Sequence, residues 1–295
     1  MNTPLAANSD TLPAVREHGA SGRDAPRGIV ESVLELSKAR LSSLVLLSCG
    51  AGFWLAAGDD IPWARLVWTL LGTLIAAFGA NALNQCIERH RDARMRRTQR
   101  RPLPAGALST RFAWLYGLFC GLCGPVLLWW GANGLTAALG LATVGAYVLV
   151  YTPLKTRSTT NTLVGALVGA IPPLMGWAAA SGALAPGAWL LAAILFLWQV
   201  PHFLALAWLY RDDYRRGGFR MLASEDDNRA TRTRQAVVLY AAALVPISLM
   251  LATTGAVGAL YAFGAAALGV AFVLMCLRLY WELSRRNARR VFLAS

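Results

Sequence analysis

The sequence predicts an all-α polytopic membrane protein, a bundle of about eight transmembrane helices. Three observations lead there. Hydrophobic residues fill 56% of the 295 positions and charged residues only 15%, against about 25% charged in a soluble domain; mean hydropathy is +0.47. The apolar residues fall in blocks of roughly 17–24 with almost no internal charge, long enough to cross ~30 Å of hydrocarbon at 1.5 Å per residue. Only helices and closed barrels span lipid. These blocks are continuous and rich in Ala, Leu and Gly, without polar/apolar alternation, so they read as helices.

In chain order, residues 1–34 read as a disordered cytoplasmic tail and 35–295 as the transmembrane domain. The tail is rich in Ser, Ala, Pro, Asp and Glu and offers too little apolar surface to offset the entropy of folding. It lacks the apolar core of a secretory signal, and Asp10, Glu17 and Asp24 count against a mitochondrial transit peptide. The spans fall roughly at 41–57, 63–83, 112–132, 135–151, 162–180, 187–209, 235–254 and 257–280. The fifth contains Pro172-Pro173, which predicts a kink or break. Its Gly165, Gly169 and Gly176 predict close approach to neighbouring helices. Connections at one membrane face are minimal. Two at the other face, 84–111 and 211–234, are long and charged, where function concentrates.

Net charge is +13. With the N-terminus in the cytoplasm and eight crossings, every Lys and Arg except Arg65 falls on the cytoplasmic side, including eight Arg between 89 and 111 and seven between 211 and 234. This is positive-inside asymmetry, so the basic balance reports topology in a bacterial inner (plasma) membrane, with anionic lipid and anionic substrate as partners and no nucleic acid. Cys120 and Cys123 form a C-x-x-C inside an apolar helix. No second pair completes a zinc site, so they read as small buried apolar residues.

The chemistry concentrates after the second span. Asn84, Glu88 and Asp92 lie at i, i+4 and i+8, on one helical face. Two carboxylates and an amide one turn apart present oxygen ligands along a line. Mg²⁺ takes one or two protein carboxylates and completes its octahedron with water and phosphate oxygens. A charge run at a helix end is most often a solvated face, but carboxylates at a membrane edge are expensive unless used. Asp212 and Asp213, after the sixth span, offer a second carboxylate site at the same level. The loop Tyr151-Thr152-Pro153-Leu154-Lys155-Thr156-Arg157 brings Lys155 and Arg157, suited to diphosphate oxygens, as are the arginines of the first loop. Together these loops read as a diphosphate cradle open to a membrane cavity. Metal and basic side chains there would stabilise a departing diphosphate. His202, behind Pro201 and among Trp198, Phe203 and Trp208, reads either as a packing residue or as a candidate for holding a haem.

The run Asn84-x3-Glu88-x3-Asp92-x2-Met95-x-Arg97-Thr98-x2-Arg101-Pro102-Leu103-x2-Gly106 resembles the signature of protohaem IX farnesyltransferases (haem O synthases), within the UbiA-type intramembrane prenyltransferase superfamily. Tyr151-Thr152-x2-Lys155, Asn161, Gly169-Ala170-x-Pro172-Pro173-x2-Gly176-Trp177, Trp198-Gln199-x-Pro201-His202-Phe203 and Asp212-Asp213-Tyr214-x2-Gly217 are similar to that family too. The resemblance covers about 35–290 and implies Mg²⁺-dependent transfer of farnesyl from farnesyl diphosphate to a vinyl group of haem B. Water adds in the same reaction and haem O forms, on the route to haem A. By position, Asn84, Glu88, Asp92, Asp212 and Asp213 would serve the metal, and Arg97, Arg101, Lys155, Arg157 and Tyr151 the diphosphate. Asn84, Glu88, Asp92, Asp213 and Lys155 would be catalytic, and His202 a haem-binding candidate. The product would pass to a haem A synthase or terminal oxidase assembly. Glu88 stands where most members have Asp, and Phe219-Arg220-Met221-Leu222-Ala223 replaces a Pro-Met-Leu-Pro run. The family fold has nine helices, and the chain stops at Arg290-Val-Phe-Leu-Ala-Ser295, where a ninth would begin. Alternative readings are a UbiA-type enzyme with an aromatic acceptor, a membrane transporter, or a non-catalytic haem-binding protein.

Overall fold

A computed structural model describes residues 28–226 and 229–295. In order, the helices are α1 (Ile29–Leu36), α2 (Ala39–Ala57), α3 (Trp63–Asp92), α4 (Thr110–Gly131) and α5 (Gly134–Gly145), which continues through a π turn (Ala146–Tyr151) into α6 (Thr152–Leu154). Then come α7 (Asn161–Gly169), α8 (Ile171–Ser181), α9 (Pro186–Leu209), α10 (Arg211–Gly217), α11 (Leu222–Glu225) and α12 (Thr231–Met250). A short 3₁₀ turn (Leu251–Thr254) precedes α13 (Ala259–Trp281) and α14 (Arg285–Ala294). No strand occurs among the described residues. Eight continuous segments are long and apolar enough to cross a membrane, matching the predicted spans in number and order. The protein is a multi-pass membrane bundle.

Most of the tail, residues 1–27, lies outside the described residues. Residues 29–34, assigned to the tail by composition, instead form most of α1. Their helix buries Ser32 and Leu36, and the carbonyls of Glu35 and Leu36 accept hydrogen bonds from Gln85 Nε2 at 3.2 and 2.8 Å. A partner on α3 stabilises a segment too short and polar to register as an apolar block.

Small residues set the closest helix contacts. A Cβ at Gly79 of α3 would stand 2.2 Å from the Gly121 backbone nitrogen of α4, and one at Gly176 of α8 would stand 1.8 Å from the Cys49 carbonyl of α2. Gly176 thus meets the expectation of close helix approach. Gly165 and Gly169 meet it too, through side chains of neighbouring segments rather than backbone: Tyr151 and Gln199. The fifth span breaks between α7 and α8, with Pro172 and Pro173 in the first turn of α8. Proline is tolerated there because its missing N–H is one of the unbonded ones in any helical first turn.

Candidate active site

The apolar block of α3 ends near residue 83, but the helix runs on to Asp92. This extension places Asn84, Glu88 and Asp92 on one face, as predicted. All three are at most 5% exposed and line a cavity of ≈ 440 Å³. Each of the three side chains meets a counterpart. Asn84 Oδ1 accepts from Lys38 Nζ at 3.2 Å and its Nδ2 donates to Thr152 Oγ1 at 3.1 Å. Glu88 Oε1 lies 2.8 Å from Lys155 Nζ, and Asp92 Oδ2 accepts from Arg101 at 2.7 Å. The Glu88–Lys155 contact is an ion pair by distance without hydrogen-bond angles, and Asp92 Oδ1 has no donor at all.

Local sequence explains how the partners arrive. Pro153 has no N–H to offer the preceding turn, and the helix widens into the π turn just before it. Thr152 Oγ1 bonds back to the Tyr147 carbonyl at 2.8 Å. That turn packs Tyr147 against Tyr151 with the rings tilted and their centroids 5.2 Å apart, and sets Lys155 Nζ 4.6 Å from the Tyr151 ring centre. Arg101 comes from the loop after α3, which folds back through Thr98 Oγ1 onto the Asp92 carbonyl at 2.9 Å. Lys38 lies in the left-handed region (φ 49°) at the α1–α2 joint.

Lys38, Arg97, Arg101 and Lys155 line the cavity beside two carboxylates, leaving an excess of positive charge. Burial, joined by the nearby charges of Arg101 and Lys155, holds the Lys38 ammonium down to about 7 against the opposing pull of Glu88 and Asp92. Burial would lower Lys155 as well, but Glu88, Tyr151 and Tyr147 more than offset it and the net shift is upward. The polar end is therefore poised for an anion that brings further negative charge. Away from this end the lining is apolar: Leu41, Val45, Ala77, Val168, Pro172 and Phe203.

Of the residues singled out by sequence, Asn84, Glu88, Asp92, Arg97, Arg101, Tyr151 and Lys155 meet in this cavity. The second acidic pair does not join them. Asp212 has its side chain 73% exposed and 3.8 Å from Arg211. Asp213 is buried, but Oδ1 accepts from the Arg96 N–H at 3.2 Å and from Arg216, and Oδ2 from the Arg97 N–H at 3.3 Å. Those donors hold its carboxyl below the usual range although burial alone would raise it. Arg157 is exposed, and its carbonyl accepts from Arg220. His202 also stays outside the cavity. Its Nδ1 is 2.9 Å from Ser295 Oγ and its ring packs on Trp198 and Phe292. On α9, Gln199 and Phe203 face the cavity, and Trp198 and His202 share the adjacent face toward α14. Sequence reading misses Lys38, Tyr147 and Gln199. Lys38 is one basic residue among many, and its role depends on the α1–α2 joint.

No cluster of three or more His, Cys, Asp or Glu occurs among the described residues. A metal at Glu88 and Asp92 would thus take two carboxylates, the Asn84 amide and oxygens from its ligand. That all-oxygen set suits Mg²⁺, and the donorless, buried Asp92 Oδ1 is a free ligand atom. The residues fit such an ion when it arrives with a diphosphate.

The profile of the UbiA prenyltransferase family matches residues 45–295. A protoheme IX farnesyltransferase from Anaeromyxobacter dehalogenans (strain 2CP-C) is 45% identical over 278 residues, 94% of this chain and 93% of that relative. Another from Solibacter usitatus (strain Ellin6076) is 42% identical over 271 residues, 89% of this chain and 92% of the relative. The fold is that of a UbiA homolog from Archaeoglobus fulgidus solved with GPP and Mg²⁺, with a TM-score of 0.70 at 15% identity over 89% of this chain and 99% of that one. With its fold, its profile match and its relatives in agreement, the chain belongs to the UbiA prenyltransferase family, on its protohaem IX farnesyltransferase branch, and is a prenyltransferase.

Proposed function

We propose that the protein transfers farnesyl from farnesyl diphosphate to a vinyl group of haem B, with Mg²⁺, to give haem O. One observation carries this reading. A single cavity joins the Asn84–Glu88–Asp92 ladder and four cationic side chains to an apolar interior. It suits a molecule with a diphosphate head and a hydrocarbon tail. The names of the relatives supply the acceptor, and the Archaeoglobus homolog, solved with GPP and Mg²⁺, supports a prenyl diphosphate taken up with Mg²⁺.

A bound Mg²⁺ supplies Lewis acidity to the diphosphate, offsetting charge as it leaves. The protein does the rest. Asn84, Glu88 and Asp92 fix the head, with Lys38 orienting Asn84 and Arg101 orienting Asp92. Lys155, Arg97 and Arg101 stabilise negative charge as the C1–O bond breaks. Lys155 then has two partners, Glu88 and the leaving group. Tyr147 and Tyr151 line the cavity beside Lys155, where their rings would flank the electron-deficient C1. The apolar lining excludes bulk water that would otherwise capture that carbon.

By the distribution of basic residues, the site end and the N-terminus face the cytoplasm of a bacterial inner membrane. A haem A synthase or terminal oxidase assembly would receive the product. The test is to incubate membranes containing the protein with haem B, farnesyl diphosphate and Mg²⁺ and separate the haems by reversed-phase chromatography. The expected result is a later-eluting haem that is lost on chelation. No new haem from active membranes overturns the reading.

A further inference from the structure

Gln199 is a polar side chain far inside an apolar helix. It lies about ten residues, or about 15 Å, from the C-terminal end of α9. It is 6% exposed and lines the cavity. No protein group hydrogen-bonds its amide among the described residues, and the amide packs against Gly169. Its amide opens on the cavity, and polar groups at such depth in a membrane protein usually serve function.

The surrounding backbone makes room for it. A Cβ at Gly169 would stand 2.1 Å from Gln199 Oε1 and 2.7 Å from Nε2. One turn nearer the polar end, a Cβ at Gly165 would stand 2.7 Å from Tyr151 Cε2. Tyr151 in turn carries Lys155, which pairs with Glu88. The amide therefore lies one turn of α7, about 6 Å, beyond the ring beside the diphosphate cradle.

We propose that Gln199 is a positioning residue that holds the water completing the reaction, an inference that rests on the proposed haem transfer. The C1–O bond breaks with its electron pair leaving on diphosphate. The vinyl π pair forms the new bond from the terminal vinyl carbon to C1, and the inner vinyl carbon is left electron-deficient. A water oxygen donates a lone pair to that carbon, and the proton released passes to a diphosphate oxygen. Without a placed water, the same carbon loses a proton from the adjacent CH₂ and an alkene forms, lighter by one water. A water in an apolar cavity needs two or more polar partners. The Gln199 amide supplies both an acceptor and a donor at the cavity wall, where Gly169 leaves room for the amide itself.

The readout is the ratio of hydroxylated to dehydrated prenyl haem by mass spectrometry within one sample, which does not depend on how much protein folds. Wild type should give mainly the hydroxylated product. Gln199→Leu should raise the dehydrated fraction at least tenfold. Gly169→Ala, which displaces the amide without removing it, should raise it to a lesser degree and decides the matter if Gln199→Leu yields no product. An unchanged ratio in the variants that turn over overturns the role of Gln199 and leaves haem transfer standing. No prenylated haem from wild type overturns the transfer reading instead.

Discussion

At the scale of single residues, the site is a set of buried charges that depend on one another. Lys155 and Glu88 are 12% and 6% exposed at their side chains. Removing one leaves the other buried and uncompensated, at about 3–5 kcal/mol, whereas removing both is far less damaging. Lys155→Met and Glu88→Gln should each lower the unfolding temperature in detergent, and the double variant should lose clearly less than their sum. Strict additivity would mean that the pair is not coupled. The α3 ladder is legible in sequence because i, i+4 spacing puts side chains on one face whatever packs around them. Lys38 and Gln199 are not legible, since their roles come from a chain reversal and from a glycine on another helix. His202 attracts attention by residue type, yet a step of about 100° per residue turns it away from the face that Gln199 and Phe203 share.

Elements show how the loops hold that set in place. Asp213, read from sequence as a metal ligand, spends both oxygens on Arg96, Arg97 and Arg216 and so clamps the arginine-rich loop that follows α3. Arg91 adds a second clasp, donating to the carbonyls of Gly217 and Gly218 at 3.1 Å each. In chelator, with no substrate, trypsin should therefore cut the 94–101 segment several-fold faster in Asp213→Asn than in wild type. Equal rates, with only a raised Mg²⁺ requirement for turnover, would return Asp213 to the role of metal ligand. The surroundings of the loop carboxylate pair are not legible, because sequence shows that Asp is present but not which backbone N–H groups surround it. The eight spans and the Pro172-Pro173 break are legible, since lipid leaves a helix few ways to satisfy its backbone. The extension of α3 to Asp92 and the short α1 escape hydropathy because other protein segments stabilise them.

For the whole molecule, we propose that charge asymmetry sets orientation, with the polar end of the cavity at the basic, cytoplasmic end. A cysteine at Asp60 should react with an impermeant maleimide in intact cells, and one at Arg157 only after lysis. The native thiols give little background, as Cys49, Cys86, Cys120 and Cys276 are buried and Cys123 partly so. Labelling in the opposite order would invert the topology. The ladder at the end of α3 remains the centre of the account. Glu88→Gln combined with Asp92→Asn keeps the size and hydrogen-bonding shape of the site but removes both carboxylates. With haem B, farnesyl diphosphate and saturating Mg²⁺, prenyl-haem formation by this variant should fall by at least 10²-fold, the scale of losing a preorganised electrostatic group. Product at close to the wild-type rate would show that metal and diphosphate are held elsewhere.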